Sequence, residues 1–176
     1  MKRAAFLFCV LLAAAAIGHY AALALAPRVI MTTALEKMAD RGVPLHAFAA
    51  SPRITPQTQT VVRPSPDLAY SICRYDFDQT SGPIEIVAAR SQALSSISFY
   101  DASTNNFARY RLDANASDGP TTLALRGPRD AGPDGERSTA IRSPTTRGLV
   151  LIRRLAPTAD AYDAARALAG QDRCGS

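Results

Sequence analysis

The chain has 176 residues, 47% of them hydrophobic and 20% charged, with 10 Gly, 12 Pro, 3 Cys and no Trp. That composition excludes a disordered, collagen-like or disulfide-dense polypeptide and suits one globular domain plus a short extra element. The formal charge is +5, but the only lysines are Lys2 and Lys37 and the arginines are scattered, so the cationic clustering of a nucleic-acid footprint is absent.

After Lys2 and Arg3, residues 4–26 carry no charge. Phe6, Leu7, Phe8, Val10, Leu11, Leu12, Ile17, Leu23 and Leu25 are spread among alanines, so the segment is apolar on every side rather than amphipathic. At roughly 1.5 Å per residue such a helix covers a bilayer core of roughly 30 Å. Residues 1–26 are therefore predicted to be a transmembrane anchor. A cleaved signal sequence is the competing reading, because the start is basic and Ala22-Leu23-Ala24 is a small-x-small pattern. Pro27 disfavours cutting after Ala26, and the run exceeds what a signal requires. Under either reading the remainder is exported. The basic start argues for an inside N-terminus, although Arg28, Lys37 and Arg41 weaken the asymmetry. Cys9 lacks the small residues that precede a lipoprotein cysteine, and His19 beside Tyr20 reads as a neutral side chain near the interface.

Residues 27–58 read as a juxtamembrane helix and a proline-rich connector. Val29, Ile30, Ala34, Leu35 and Met38 recur at helical steps before Gly42 and Pro44, and Pro52 and Pro56 keep the following chain extended. Residues 59–176 read as a β-sandwich domain. A first strand is expected at 60–63, then strands at 68–77, 84–88, 94–100, 107–112, 121–125, 138–142 and 149–153, separated by turn residues such as Gly82-Pro83 and Arg147-Gly148. Ile97 and Phe99 alternate with Ser96, Ser98 and Tyr100, as a half-buried strand requires. A closing helix is predicted over 161–169, ended by Gly170.

Several chemistries lack their residues. Of the two histidines, only His46 lies outside the membrane segment. It sits in the connector, so a Ser-His-Asp or Cys-His arrangement would need that connector to fold back over the domain. Zinc would lack ligands, and neither glycine-rich nucleotide loop is present. Residues 113–119 begin like a calcium loop, but Asp118 stands where Gly is required and Ala124 where a bidentate Glu belongs, so a polar turn explains them better. Asn115-Ala116-Ser117 is a formal glycosylation sequon, relevant only in a eukaryotic secretory pathway. No cofactor or metal is expected. Cys73 and Cys174 would share an oxidising space after export, and a bond between them would stabilise by about 4 kcal/mol; two unpaired thiols remain the alternative.

Two stretches are specific in wording. Arg63-Pro64-Ser65-Pro66-Asp67-Leu68-Ala69-Tyr70-Ser71, with Tyr75-Asp76-Phe77 and Gly82-Pro83, is one. Ser98-Phe99-Tyr100-Asp101-Ala102-Ser103-Thr104-Asn105-Asn106-Phe107-Ala108 is the other. Together they resemble the family known as domain of unknown function 1254 (DUF1254), over roughly residues 61–107, with a weaker echo at 148–169. The resemblance implies a mainly β fold, a jelly-roll-like antiparallel β-sandwich in bacterial proteins, here with one N-terminal transmembrane helix and a short C-terminal helix. It also implies a companion membrane protein of a related family, and no established reaction. The chain departs from longer members: Asp67-Leu68-Ala69-Tyr70 replaces Asp-Thr-Leu-Tyr, and an Arg-Thr-Thr-Gly stretch is missing after Ala108.

Read physically, Asp67, Tyr70, Ser71, Tyr100, Asp101, Asn105 and Asn106 have two roles open to them. They could set turns through side-chain to backbone bonds, or they could meet at one rim of the sandwich and hold a small polar ligand. The leading expectation is a single-pass protein of the bacterial inner membrane whose periplasmic sandwich binds a membrane partner or small ligand without catalysis, using arginine to pair with anions. A second reading is a hydrolase of a polysaccharide or small ester using Asp67 and Asp101, and a third is a purely structural subunit held by its membrane helix.

Overall fold

The computed structural model describes residues 2–55, 57, 64–113, 121–130 and 140–175. The strand expected at 60–63, the turn beyond Asp113 with its sequon, and residues 138–139 lie outside the described residues. Helix α1 runs unbroken over Lys2–Asp40 and includes Pro27. The apolar segment and the helix expected after it are thus one continuous helix. It is long and apolar enough to cross a membrane.

Nine strands follow among the described residues: β1 (Phe48–Ala50), β2 (Leu68–Asp76), β3 (Ile84–Ala88), β4 (Ser95–Asp101), β5 (Asn106–Arg111), β6 (Thr121–Arg126), β7 (Ala140–Arg142), β8 (Arg147–Leu155) and β9 (Arg173–Gly175). They form a five-stranded sheet in the order β1-β2-β8-β4-β5 and a four-stranded sheet in the order β7-β6-β3-β9. All neighbours are antiparallel except β6 and β7. The architecture is a two-sheet sandwich, mainly β, with a long apolar helix before it and α2 (Ala159–Ala169) near its end.

Period-two patterning decides which faces turn inward. On β2, Ala69, Ser71, Cys73 and Tyr75 are buried while Tyr70, Ile72 and Arg74 are half-exposed, because successive side chains in a strand point to opposite faces. Ile97 and Phe99 of β4, Val150 and Ile152 of β8, Ile84 and Ile86 of β3, and Leu123 and Leu125 of β6 complete one core between the sheets. Removing this apolar surface from water, at roughly 25 cal/mol per Å2, is the main favourable term of folding.

Two covalent or ionic ties join the sheets. Cys73 of β2 is bonded to Cys174 of β9, with Cα atoms 6.5 Å apart. Near the C-terminal end of β8, Arg154 points inward to Asp172, with Nη1–Oδ2 of 2.9 Å and Nη2–Oδ1 of 2.7 Å. The same two side chains bind the backbone of Ala89, whose N–H donates to Asp172 Oδ1 and whose carbonyl accepts from Arg154 Nη2. Helix α2 closes this end: Thr158 caps its N-terminus, Tyr162 and Ala165 pack on Ala69 and Ala156, and the Tyr162 hydroxyl donates to the Ser51 carbonyl at 2.6 Å.

Strand β1 lies inside the stretch read as a connector. Phe48, Ala49 and Ala50 pair with Cys73, Ile72 and Ser71, and His46 donates its backbone N–H to the Arg74 carbonyl at 2.9 Å. The connector does fold back over the domain. Strands β1 and β9, three residues each, are too short to show a period in the sequence.

Candidate functional site

The register of β8 decides what the predicted site residues can do together. The Asp67 carbonyl accepts from the backbone N–H of Ala156 at 2.7 Å, while Asp101 stands opposite Gly148. At roughly 3.3 Å per residue, that stretch of β8 separates the two carboxylates by roughly 25 Å along the sheet. Paired-carboxylate hydrolysis needs about 5–9.5 Å. The expectation that the seven residues meet at one rim is therefore corrected: β2 and β4 both run antiparallel to β8, so Asp67, Tyr70 and Ser71 fall at one end of the sheet and Tyr100, Asp101, Asn105 and Asn106 at the other. The Asp67–Asp101 hydrolase falls with it.

Within each group the side chains shape backbone. The Tyr70 hydroxyl accepts from the Ser65 N–H at 2.9 Å, Ser71 is buried on the inner face, and Asp67 is exposed. Asp101 Oδ1 accepts from the N–H groups of Ser103 and Asn105 at 2.8 and 2.9 Å, and Oδ2 from Asn105 Nδ2 at 2.9 Å. These bonds hold the β4–β5 turn, in which Thr104 has φ of 65°, a left-handed conformation unfavourable for a β-branched residue. Asn106 is exposed at the start of β5, and the Tyr100 hydroxyl accepts from Arg153 Nη2 at 2.6 Å. The family-like wording around Asp101 thus encodes a hairpin staple.

His46 is also engaged by backbone. Its Nε2 lies 3.0 Å from the N–H and 3.1 Å from the carbonyl oxygen of Asp76. The Asp76 carboxylate accepts from the N–H of Asp78 and from Gln79 Nε2. No Ser-His-Asp constellation forms there. Among the described residues, no three His, Cys, Asp or Glu side chains gather as a metal group.

The end of the sandwich carrying Asp76, Asp101 and Arg147 holds a buried hydroxyl network. The Tyr75 hydroxyl lies 3.0 Å from the Tyr100 carbonyl and 2.9 Å from Ser143 Oγ, which is itself 2.6 Å from the Thr145 carbonyl. Gly148 makes room for it: a Cβ there would meet the Tyr100 carbonyl oxygen and the Tyr75 hydroxyl, with Tyr75 Cζ at 2.6 Å. Burial, aided by the Asp101 charge and opposed by bonds to Ser143 and Thr145, pushes the Tyr75 phenol from 10.0 up to about 12. A phenol held neutral in the folded state adds stability that is complete below pH 10 and is lost as pH rises towards 12, about 3 kcal/mol in all. Urea titrations of the wild type are expected to show this alkaline loss, and Tyr75→Phe is expected to remove it while lowering stability at pH 7. Equal alkaline slopes for the two proteins would refute the assignment.

Beside this rim lies a cleft of about 490 Å3 between α1 and the sandwich. Helix α1 supplies Met31, Leu35 and Glu36; the rim supplies Arg74, Asp76 and Arg147. Arg74 fixes the helix to the sheet. Its Nε and Nη2 donate to the Val43 carbonyl at 3.0 and 2.8 Å, and its Nη1 to the Leu35 carbonyl at 3.4 Å, a cation set against the negative end of the helix dipole. Met31 is buried at this contact, and Arg28 reaches Ser103 of the β4–β5 turn at 3.5 Å. Sequence reasoning missed the cleft residues, since Arg74, Arg147 and Glu36 carry no local motif and converge only through the fold.

The fold and its cleft define a small β-sandwich docked on a long apolar helix. The chain belongs to the family described as protein of unknown function (DUF1254), whose model matches residues 46–175. Among solved structures it is similar to the VPA0106 protein from Vibrio parahaemolyticus, at 10% identity and a TM-score of 0.61, covering 85% of this chain and 35% of that one. It is also similar to a putative uncharacterized protein from Burkholderia cenocepacia, at 17% identity and a TM-score of 0.47, covering 78% and 37%. At 10% identity the likeness to the first is one of fold, and the chain spans about a third of the length of either structure. No curated protein matches.

Proposed function

We propose that this protein is a single-pass accessory module of the bacterial inner membrane, with its sandwich in the periplasm and its juxtamembrane cleft as the place where a small polar ligand or a companion membrane protein engages. The observation that carries the reading is the cleft: the helix that contains the apolar span forms one of its walls. Arg74 and Met31 hold the sandwich against that helix, so a ligand there is met at a defined height above the bilayer. The Cys73–Cys174 bond supports the compartment, since disulfides persist in oxidising spaces and are rare in the cytosol.

Membrane fractionation tests this. The full-length protein with a C-terminal tag is expected to resist carbonate extraction, and its tag is expected to be cut by protease added to spheroplasts. A carbonate-soluble protein, or a tag shielded until lysis, would overturn it.

A further inference from the structure

We infer that β5, the edge strand of the five-stranded sheet, lies along the surface of the anchoring bilayer, and that anionic lipid phosphates cover its open side, drawn there by Arg109 and Arg111. The inference rests on the membrane-anchored reading and adds which edge of the sandwich meets lipid. The order of contacts along α1 gives the orientation. Arg28, two residues past the charge-free run, reaches Ser103 of the β4–β5 turn at 3.5 Å. Further along the helix, Met31 and Thr32 share the cleft with Arg147 at the start of β8, and the Leu35 carbonyl accepts from Arg74 of β2 at 3.4 Å. Strands β4, β8 and β2 are neighbours in that same order. From Arg28 to Leu35 the helix rises roughly 10 Å, and from β4 to β2 the sheet extends two strand spacings, also roughly 10 Å. The sheet therefore stacks its strands along the helix axis, and β5, on the far side of β4 from β8, is its strand nearest the membrane.

Arg28 stands roughly 3 Å past Ala26, inside a headgroup layer roughly 5–7 Å thick, and the turn it holds joins β4 to β5. The turn is thus at headgroup level, with β5 roughly 5 Å closer to the bilayer centre than β4. Val29 and Ile30, apolar and well exposed beside buried Met31, carry the lipid-facing surface of α1 past Arg28 to the same level. The edge also suits an anionic surface. Among the described residues β5 pairs with β4 alone, and an open edge strand presents backbone N–H groups to other acceptors. Arg109 and Arg111 are exposed and, two residues apart, share one face of the strand. Arg111 is paired with Asp113 at 2.7 Å, and Arg153 with the Tyr100 hydroxyl. With paired groups counted at full charge, arginines 28, 109, 111 and 153 of this hairpin and its contacts outnumber Asp101 and Asp113, and both carboxylates are buried. A second copy of the chain would bring the same arginines edge to edge, and an acidic protein would have to displace headgroups from a level that α1 fixes.

The chain has no tryptophan, so a single introduced one reports depth. Full-length Asn106→Trp and Arg109→Trp on β5, and Ala50→Trp on β1 at the far edge of the sheet, are placed in vesicles of phosphatidylcholine and phosphatidylglycerol in equal amounts. One lipid carries a nitroxide close to its headgroup. Tryptophan at either β5 position is expected to lose about half its fluorescence, and at position 50, four strand spacings or roughly 19 Å away, less than about a tenth. The second β5 reporter and near-UV circular dichroism show whether either variant has lost its fold. In the Asn106→Trp protein, labelled phosphatidylglycerol is expected to quench about threefold more than labelled phosphatidylcholine. Adding Arg109→Gln with Arg111→Gln, or about 0.5 M salt, is expected to bring that ratio close to one. Quenching on β5 no stronger than at position 50 would overturn the inference, and is what a protein partner on this edge would give. So would a lipid ratio already near one, or one unmoved by the arginine changes. A protein that leaves the membrane in carbonate sinks the anchored reading as well, whereas one that stays but leaves β5 unquenched sinks this inference alone.

Discussion

Asp172→Ala is expected to lower the free energy of unfolding by about 3–5 kcal/mol, because it leaves the Arg154 guanidinium uncompensated inside the sandwich. Arg154 and Asp172 are both buried. The companion experiment separates charge from packing. In general, replacing a whole buried ion pair with apolar residues is near neutral or stabilising. Here Ala89 would lose both of its partners, and each orphaned backbone group costs about 1–3 kcal/mol. The double variant Arg154→Met with Asp172→Leu is therefore expected to be destabilised, but no more than either single change. Urea unfolding followed by tyrosine fluorescence measures the cycle. A single Asp172→Ala variant within 1 kcal/mol of the wild type would show that the pair does not tie the sheets.

Removing the disulfide has the second large effect. The bond spans a sequence separation of 101 residues, and cross-linking a loop of that length stabilises by about 4–5 kcal/mol through the entropy of the unfolded chain. The structure adds a local term, since β9 pairs only at Glu85, Ile86 and Val87 of β3. Cys73→Ala with Cys174→Ala is expected to lower the unfolding free energy by about 4 kcal/mol and to speed hydrogen exchange in β9 before β8. Because Cys174 and Asp172 sit two residues apart on the same strand entry, combining their variants should cost less than the sum of the separate effects. A wild type indifferent to a reductant would contradict this account.

The elements with strong local patterns were readable from the chain. Ile97 and Phe99 of β4 do face the core, although Ser98 between them is fully buried too, so the expected alternation holds only at Ser96 and Tyr100, and β3 is found over the residues predicted for it. The strong turn residue Gly170 ends α2 where expected. Strands β1 and β9 were not readable: three residues each, they exist because β2 and β3 offer them hydrogen-bonding edges, and an edge is not a property of the strand that joins it. The same reason explains the predicted site. Tyr100-Asp101 and Asn105-Asn106 stand out as words, yet their spacing records a tight turn held by the Asp101 carboxylate, and proximity to Asp67 was a question for the register of β8.

By itself the sequence determined an apolar helix able to cross a bilayer, a domain of short alternating strands, and membership of a family recognisable by its turn residues. These follow from side-chain chemistry acting over a few residues. The tertiary structure alone decided that Cys73 meets Cys174, that Arg154 is neutralised by Asp172, that the predicted site divides between two ends, and that Glu36 and Arg147 share a cleft. Each of those depends on which strands pair and in what register, and pairing is chosen by the burial of whole faces across the chain, a quantity that no single segment contains.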